Sequence, residues 1–121
     1  MGLDMYAFTT TKTPETAVDF TAEAAQEIAY WRKHPDLHGW MEQLYRAKGG
    51  SEADFNCVNL ALDAADLDRL ERDLRNRALP HTEGFFFGTT RPEEIARDFA
   101  FIDRARAALR AGETVFYTSW W

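Results

Sequence analysis

The sequence predicts an α+β fold: one small antiparallel or mixed sheet with about three to four helices packed on it. Apolar and polar residues alternate at both ends of the chain and near its middle, the period of a strand. Between these stretches, leucines and other apolar residues recur every three or four positions, the period of a helix. No repeat, low-complexity tract or linker interrupts the pattern, so residues 1–121 are read as a single globular domain.

The elements follow in order. Leu3, Met5 and Ala7 alternate with Asp4, Tyr6 and Phe8, which makes residues 2–10 a strand that ends in the turn before Pro14. Residues 14–24 are polar, with scattered Val18 and Phe20, and read as a loop. Residues 25–33 pull two ways. Ala24, Ala25, Gln26 and Glu27 favour helix by propensity, whereas the alternation of Ile28, Tyr30 and Arg32 with Ala29, Trp31 and Lys33 favours strand; a helix is expected. His34 is driven out of helical geometry by the proline after it, and Pro35 suits the first turn of a new helix. Leu37, Trp40, Met41 and Leu44 place that helix at about 35–47, stopped by Gly49 and Gly50.

Residues 54–61 read as a strand, with Phe55 and Cys57 on one face and Val58 and Leu60 on the other. Asp63 is a good N-cap with Asp66 in the first turn, and Leu67, Leu70 and Leu74 line a helix running to about Ala78. Residues 84–88 form an apolar run between glycines, either a short strand or a tight turn. Thr90 and Glu93 have capping-box spacing. Ile95, Phe99, Ile102 and Leu109 then mark the buried stripe of a helix that Gly112 ends, and residues 114–121 close the chain as a strand.

Composition excludes several functions. The net charge is −6, with five Lys/Arg against seven Asp/Glu in the first fifty residues and nine against thirteen in the rest. Both halves are acidic, so the cationic footprint that nucleic-acid binding needs is missing and none is expected. No apolar run approaches the length of a membrane span, and the N-terminus has no secretory signal pattern. The single cysteine, Cys57, allows no internal disulfide and no Cys-rich zinc site; it suits a reducing cytosol, so a cytoplasmic location is expected. The neighbours of Cys57 make it apolar filler, and Ser51 and Ser119, the two serines, lie in no nucleophile-elbow pattern.

The sequence blocks Met-Gly-Leu-Asp-Met-Tyr at 1–6, Tyr-Trp-Arg-Lys at 30–33, His38 with Trp40, Gly-Phe-Phe-Phe-Gly at 84–88 and an aromatic C-terminus resemble a family of small proteins from bacteriophages and bacterial genomes. The resemblance spans nearly the whole chain in blocks. It implies one domain and a phage or prophage origin, and supplies no activity. Some relatives carry a phosphoglycerate kinase label. That label is rejected for this chain, because those kinases are two-domain proteins several times longer and no glycine-rich phosphate cradle is present.

Candidate chemistry concentrates in residues 30–40, where two Trp, two His, an Arg and a Lys fall together. His34 and His38 have i,i+4 spacing, but His34 lies outside the helix and no third ligand stands nearby in sequence, so no metal site and no cofactor are expected. The expected picture is a helix start with one exposed and one partly buried His. Asp4 on the first strand is read as finding Arg32 or His38 as a donor. Its structural version, a buried polar tie, is preferred over Asp4 orienting His38 as a general base. Trp31, Arg32 and Trp40, with His38 and Tyr6, would make a pocket for a flat or anionic ligand, with Lys33 adding charge; the reading that the tryptophans are core is preferred. Phe85 and Phe87 would face one side of a strand and Phe86 the other. Core filling is the preferred reading of these rings; the alternative makes them, together with Trp120 and Trp121, candidates for a partner interface. The function expected first is therefore a non-enzymatic interaction protein of phage or prophage type, bound to a protein partner or to itself through aromatic patches. The alternatives are a small-molecule binding protein or small enzyme around Trp31, Arg32 and His38, and a purely structural subunit.

Overall fold

A computed structural model describes residues 2–84 and 87–121. The chain order is β1 (Asp4–Thr10), β2 (Gln26–Arg32), α1 (Pro35–Ala47), β3 (Leu60–Leu62), α2 (Ala64–Arg75), α3 (Glu94–Arg110) and β4 (Thr114–Trp120). The strands form one sheet in the order β2-β1-β4-β3, antiparallel at every pairing. The fold is thus α+β with a fully antiparallel sheet and three helices among the described residues. None of those helices is long and apolar enough to cross a membrane.

The two faces of the sheet have different fates. Met5 and Ala7 of β1, Trp31 of β2, Val115 and Tyr117 of β4, and Leu60 and Leu62 of β3 are all buried on the inner face. There they meet Leu37, Met41 and Leu44 of α1, Leu67, Leu70 and Leu74 of α2, and Phe101, Ile102 and Ala105 of α3 in one core. The outer face carries Asp4, Tyr6, Phe8, Tyr30, Arg32, Phe116, Thr118 and Trp120. The loop after β1 covers only one end of it. Val18 bridges Leu60, Ala61 donates to Ala17 O, and Phe20 sets its edge on Phe116 with centroids 5.4 Å apart.

Several elements differ from the sequence reading. Residues 26–32 are a strand, not a helix: the alternation of Tyr30 and Arg32 with Trp31 and Ala29 matches the pleat, and pairing with β1 outweighs the modest helix preference of Gln26 and Glu27. The expected strand at 54–61 shrinks to Leu60–Leu62, because Cys57 takes φ 60° and breaks the extended run. Cys57 is exposed, not apolar filler. Helix α2 stops at Arg75, three residues early, with Arg77 left-handed just beyond it. Its N-terminus does carry the full reciprocal capping box between Asp63 and Asp66.

Thr90 and Glu93 make no capping box; α3 begins later, at Glu94, and has no side-chain cap. The buried stripe of α3 is Phe101, Ile102, Ala105 and Ala108, whereas Ile95 is 40% exposed. Residues 85 and 86 of the Gly-bounded Phe run lie outside the described residues.

Gly39 lies buried in the middle of α1 for a packing reason. A Cβ there would collide with Oγ1 and Cβ of Thr82, so the missing side chain lets the loop before Gly84 lie on the helix. Gly39→Ala is expected to destabilise the protein by about 1–3 kcal/mol through overpacking, even though Ala is the better helix former. Urea unfolding of the variant checks this, and a gain in stability would mean the loop moves aside freely.

Candidate functional site

The residues expected to form a pocket go to different places. Trp31 points inward from β2 and is 1% exposed; its ring meets Phe101 edge-on and its Nε1–H donates to Asp98 Oδ1 at 3.0 Å. Arg32, its neighbour, lies on the opposite face of the sheet and reaches Asp4 Oδ1 at 3.1 Å. Trp40 is buried between α1 and α2, its Nε1–H donating to Asp73 Oδ2 at 2.8 Å. Tyr6 lies on the outer face beside Tyr30. A strand alternates its side chains, so Trp31 and Arg32 cannot line one cavity. The pocket of Trp31, Arg32, His38, Trp40 and Tyr6 is not assembled.

Asp4 and His38 are not brought together either. Asp4 accepts from Tyr30 Oη at 2.6 Å and from Arg32, making a half-exposed tie between β1 and β2, not a buried one. That bond to Asp4, which holds the phenol proton, raises the Tyr30 pKa. His38 sits in the core, 1% exposed, with Nδ1 2.6 Å from Tyr117 Oη and rings of Phe55, Phe87 and Tyr117 around it. Burial lowers its pKa from 6.5 to about 4, so it is a neutral imidazole at pH 7. Tyr117 is fully buried and its pKa is pushed well up by that burial.

His34 is buried as well, contrary to the expectation of one exposed His, and belongs to a network the sequence reading missed. The backbone N–H of Asp36 donates to Thr90 Oγ1 at 3.0 Å, and the same hydroxyl bonds to His34 Nδ1 at 3.1 Å. His34 Nε2 bonds to Asp98 Oδ2 at 2.8 Å, while Trp31 Nε1–H donates to Asp98 Oδ1. Burial holds the Asp98 carboxyl above the usual carboxylate range; the bonds from His34 and Trp31 pull it down, and the buried Glu94 one turn away pushes it up.

Hydroxyl, imidazole and carboxylate in series is the order of a nucleophilic triad. Here, however, the hydroxyl is occupied with capping α1. Pro35 has no N–H and His34 makes no side-chain cap, so Thr90 serves the first available helix amide from across the fold. The series holds Thr90 and α3 to the start of α1. Beside it runs a cleft of about 350 Å³, walled by Leu74, Leu79, Pro92 and Ile95, with Arg77 and Arg91 also lining it. Among the described residues no group of His, Cys, Asp or Glu is arranged to hold a metal.

The expected interface residues also separate. Phe87 is buried and meets Trp121 edge-on at 5.2 Å; Trp121 is half-buried, and its indole N–H donates to Phe55 O at 2.8 Å. Phe85 and Phe86 lie outside the described residues. Of the candidates among the described residues, Trp120 alone stands clear, 69% exposed on the outer face of the sheet.

Around Trp120 the outer face holds an array of rings that the sequence reading did not collect. Tyr30, 41% exposed, lies 5.3 Å from Tyr6; Tyr6 stacks on Phe8 at 5.8 Å; Phe8 stacks on Phe116 at 5.5 Å. Trp120 is paired with Asp4 in the register, beside the Asp4–Arg32 ion pair. The signal for this array was present in the alternation of residues 4–8 and 26–32, and it becomes legible once the second stretch is a strand. Comparison of the chain with protein-family models, with curated proteins and with solved structures finds no match to any of them.

Proposed function

We propose that this chain is a non-enzymatic binding protein that docks a protein partner on the open aromatic face of its sheet. The observation that carries the reading is the run Tyr30, Tyr6 and Phe8, with Trp120 next to Asp4 on the same face, on the part that the loop after β1 leaves uncovered; Phe116, at the far end of the run, is buried under Phe20. Contact surfaces between proteins are enriched in Tyr, Trp, Phe and Arg, with rigid aromatic anchors near the centre and polar groups at the rim. Tyr30, Trp120 and the Asp4–Arg32 pair supply both kinds. A stacked nucleic-acid base would suit the rings, but Asp4 and Glu27 lie on the same face and the chain carries −6, which opposes a phosphate backbone.

The resemblance to small phage and bacterial proteins makes a bacterial extract the source in which to search. The test compares wild type with the Tyr30→Ala/Trp120→Ala double variant, both side chains being exposed enough to leave the fold intact. A protein captured by the wild type is purified and titrated by calorimetry against each. The double variant should bind at least about a hundredfold more weakly, since exposed aromatic anchors are worth about 2 kcal/mol or more each. If the captured protein is a second copy, sedimentation should show a dimer that the variant loses. Equal affinity of the two chains for every captured protein sinks the reading.

A further inference from the structure

The outer edge of β2 is the place where the sheet stops. Lys33 N–H donates to Leu3 O, so residues 33, 31 and 29 turn their backbone groups toward β1. Tyr30 therefore turns its N–H and C=O away from the sheet. Ile28, next in the same set, shows the direction directly: its carbonyl accepts from Arg104 Nη1 of α3 at 3.0 Å. Among the described residues no strand pairs with this edge. A bulge between Ala7 and Phe8 distorts the Gln26 half of β2, so the regular part of the edge runs from Ala29 to Arg32.

A groove of about 240 Å³ runs along that edge, lined by Ala29, Tyr30, Trp31, Arg97, Ala100 and Arg104. Its lining holds two guanidinium groups and no carboxylate, in a chain that is otherwise strongly acidic. Arg97 has no ion-pair partner among the described residues, and Arg104 has only the Ile28 carbonyl. α3 runs along β2 in the opposite sense, with Arg104 at Ile28 and Asp98 at Trp31.

We infer that the β2 edge takes an extended acidic segment of a partner protein as a fifth strand, its main chain bonded to Tyr30 and its acidic side chains on Arg97 and Arg104. This rests on the reading of the chain as a binding protein and adds a second surface with its own partner chemistry. The spacing sets the sequence of the partner. Arg97 and Arg104 are separated by about 10 Å along a helix, and alternate residues of a strand facing one side are about 7 Å apart. Two acidic residues four apart, with a small residue midway over Ala100, match the two arginines within the reach of their side chains. A second copy of this chain is the poorer occupant. Two β2 edges paired about a dyad at Tyr30 would set Arg97 and Arg104 of one copy against the same residues of the other, four cations with no carboxylate between them.

The probe is a blocked, fluorescent heptapeptide with Glu at its second and sixth positions, Ala at the fourth and Val at the third and fifth. Its counterpart has Lys in place of both Glu. Anisotropy titration of the full chain should show saturable binding of the acidic peptide, at least tenfold tighter than the Lys peptide. Arg97→Glu, and the Arg97→Glu/Arg104→Glu pair where it folds, should reverse that preference. N-methylation of one alternate set of peptide amides should abolish binding and of the other set should leave it, as a β ladder demands. Binding should slow hydrogen exchange at the Tyr30 amide. No binding of the acidic peptide, equal binding of the two peptides, or indifference to either N-methyl set overturns the proposal. Binding of the peptide should survive Trp120→Ala, so loss of the aromatic-face partner and loss of the edge partner are separate results.

Discussion

Asp98→Ala is expected to cost about 3–5 kcal/mol of stability, the largest effect of any single substitution outside the apolar core. Asp98 is fully buried and its two oxygens accept from Trp31 Nε1 and His34 Nε2. Truncation strands both donors in an apolar setting, at about 1–3 kcal/mol each. It also frees His34 to rotate, which loosens Thr90 and with it the cap on α1. For a domain of this size the melting temperature should fall on the order of 10–20 °C. Asp98→Asn retains one acceptor oxygen and should lose roughly half as much. Thermal melts by circular dichroism at pH 7 check the series. A fall of less than about 1 kcal/mol for Asp98→Ala would show that water enters and serves the two donors.

Acidification should destabilise the protein through His38. The folded-state pKa of about 4 lies below the 6.5 of an unperturbed His. Between those values the unfolded chain takes up a proton that the folded chain refuses. Stability from this group is therefore whole above pH 6.5 and falls by about 1.4 kcal/mol per unit as pH drops toward 4, about 3 kcal/mol in all. The physical cause is burial: a charged imidazole among Phe55, Phe87 and Tyr117 has lost its water. Asp98 acts in the opposite sense. Its raised pKa means that the unfolded chain gives up that proton first, so its contribution is greatest at low pH and is lost as pH rises through the folded value. Urea midpoints at pH 7 and pH 4.5, taken for wild type and His38→Gln, separate the two. The variant should lose most of the wild-type slope, and an unchanged slope would assign the acid sensitivity to other groups.

Where the sequence was legible, the information was local. The helix at 35–47 follows from Pro35 and the spacing of Leu37, Trp40, Met41 and Leu44; the Asp63 N-cap and the leucine stripe of α2 read the same way. The first and last strands show their period of two in their own residues. The candidate site was less legible. Trp120, an interface candidate, stands exposed, whereas Phe87, for which core filling is the preferred reading, is buried and packs on Trp121. An aromatic residue reads alike whether it fills a core or lies on a surface, because the apolar area that drives either outcome is the same.

The sequence by itself determined the broad class of the fold, the absence of an internal disulfide, the acidic balance and the helices whose caps and periods lie within a dozen residues. Tertiary structure decided the rest. Residues 26–32 became a strand because β1 offered a partner for the backbone, a gain that no local preference records. His34 met Asp98 across 64 residues and Thr90 across 56, and pairings at that distance leave no trace in spacing. Trp31 and Arg32 parted to opposite faces as soon as the strand formed. The open aromatic face and the basic groove beside β2 exist only because the sheet has one covered side and one free edge. That is a property of how the layers stack and not of any segment alone.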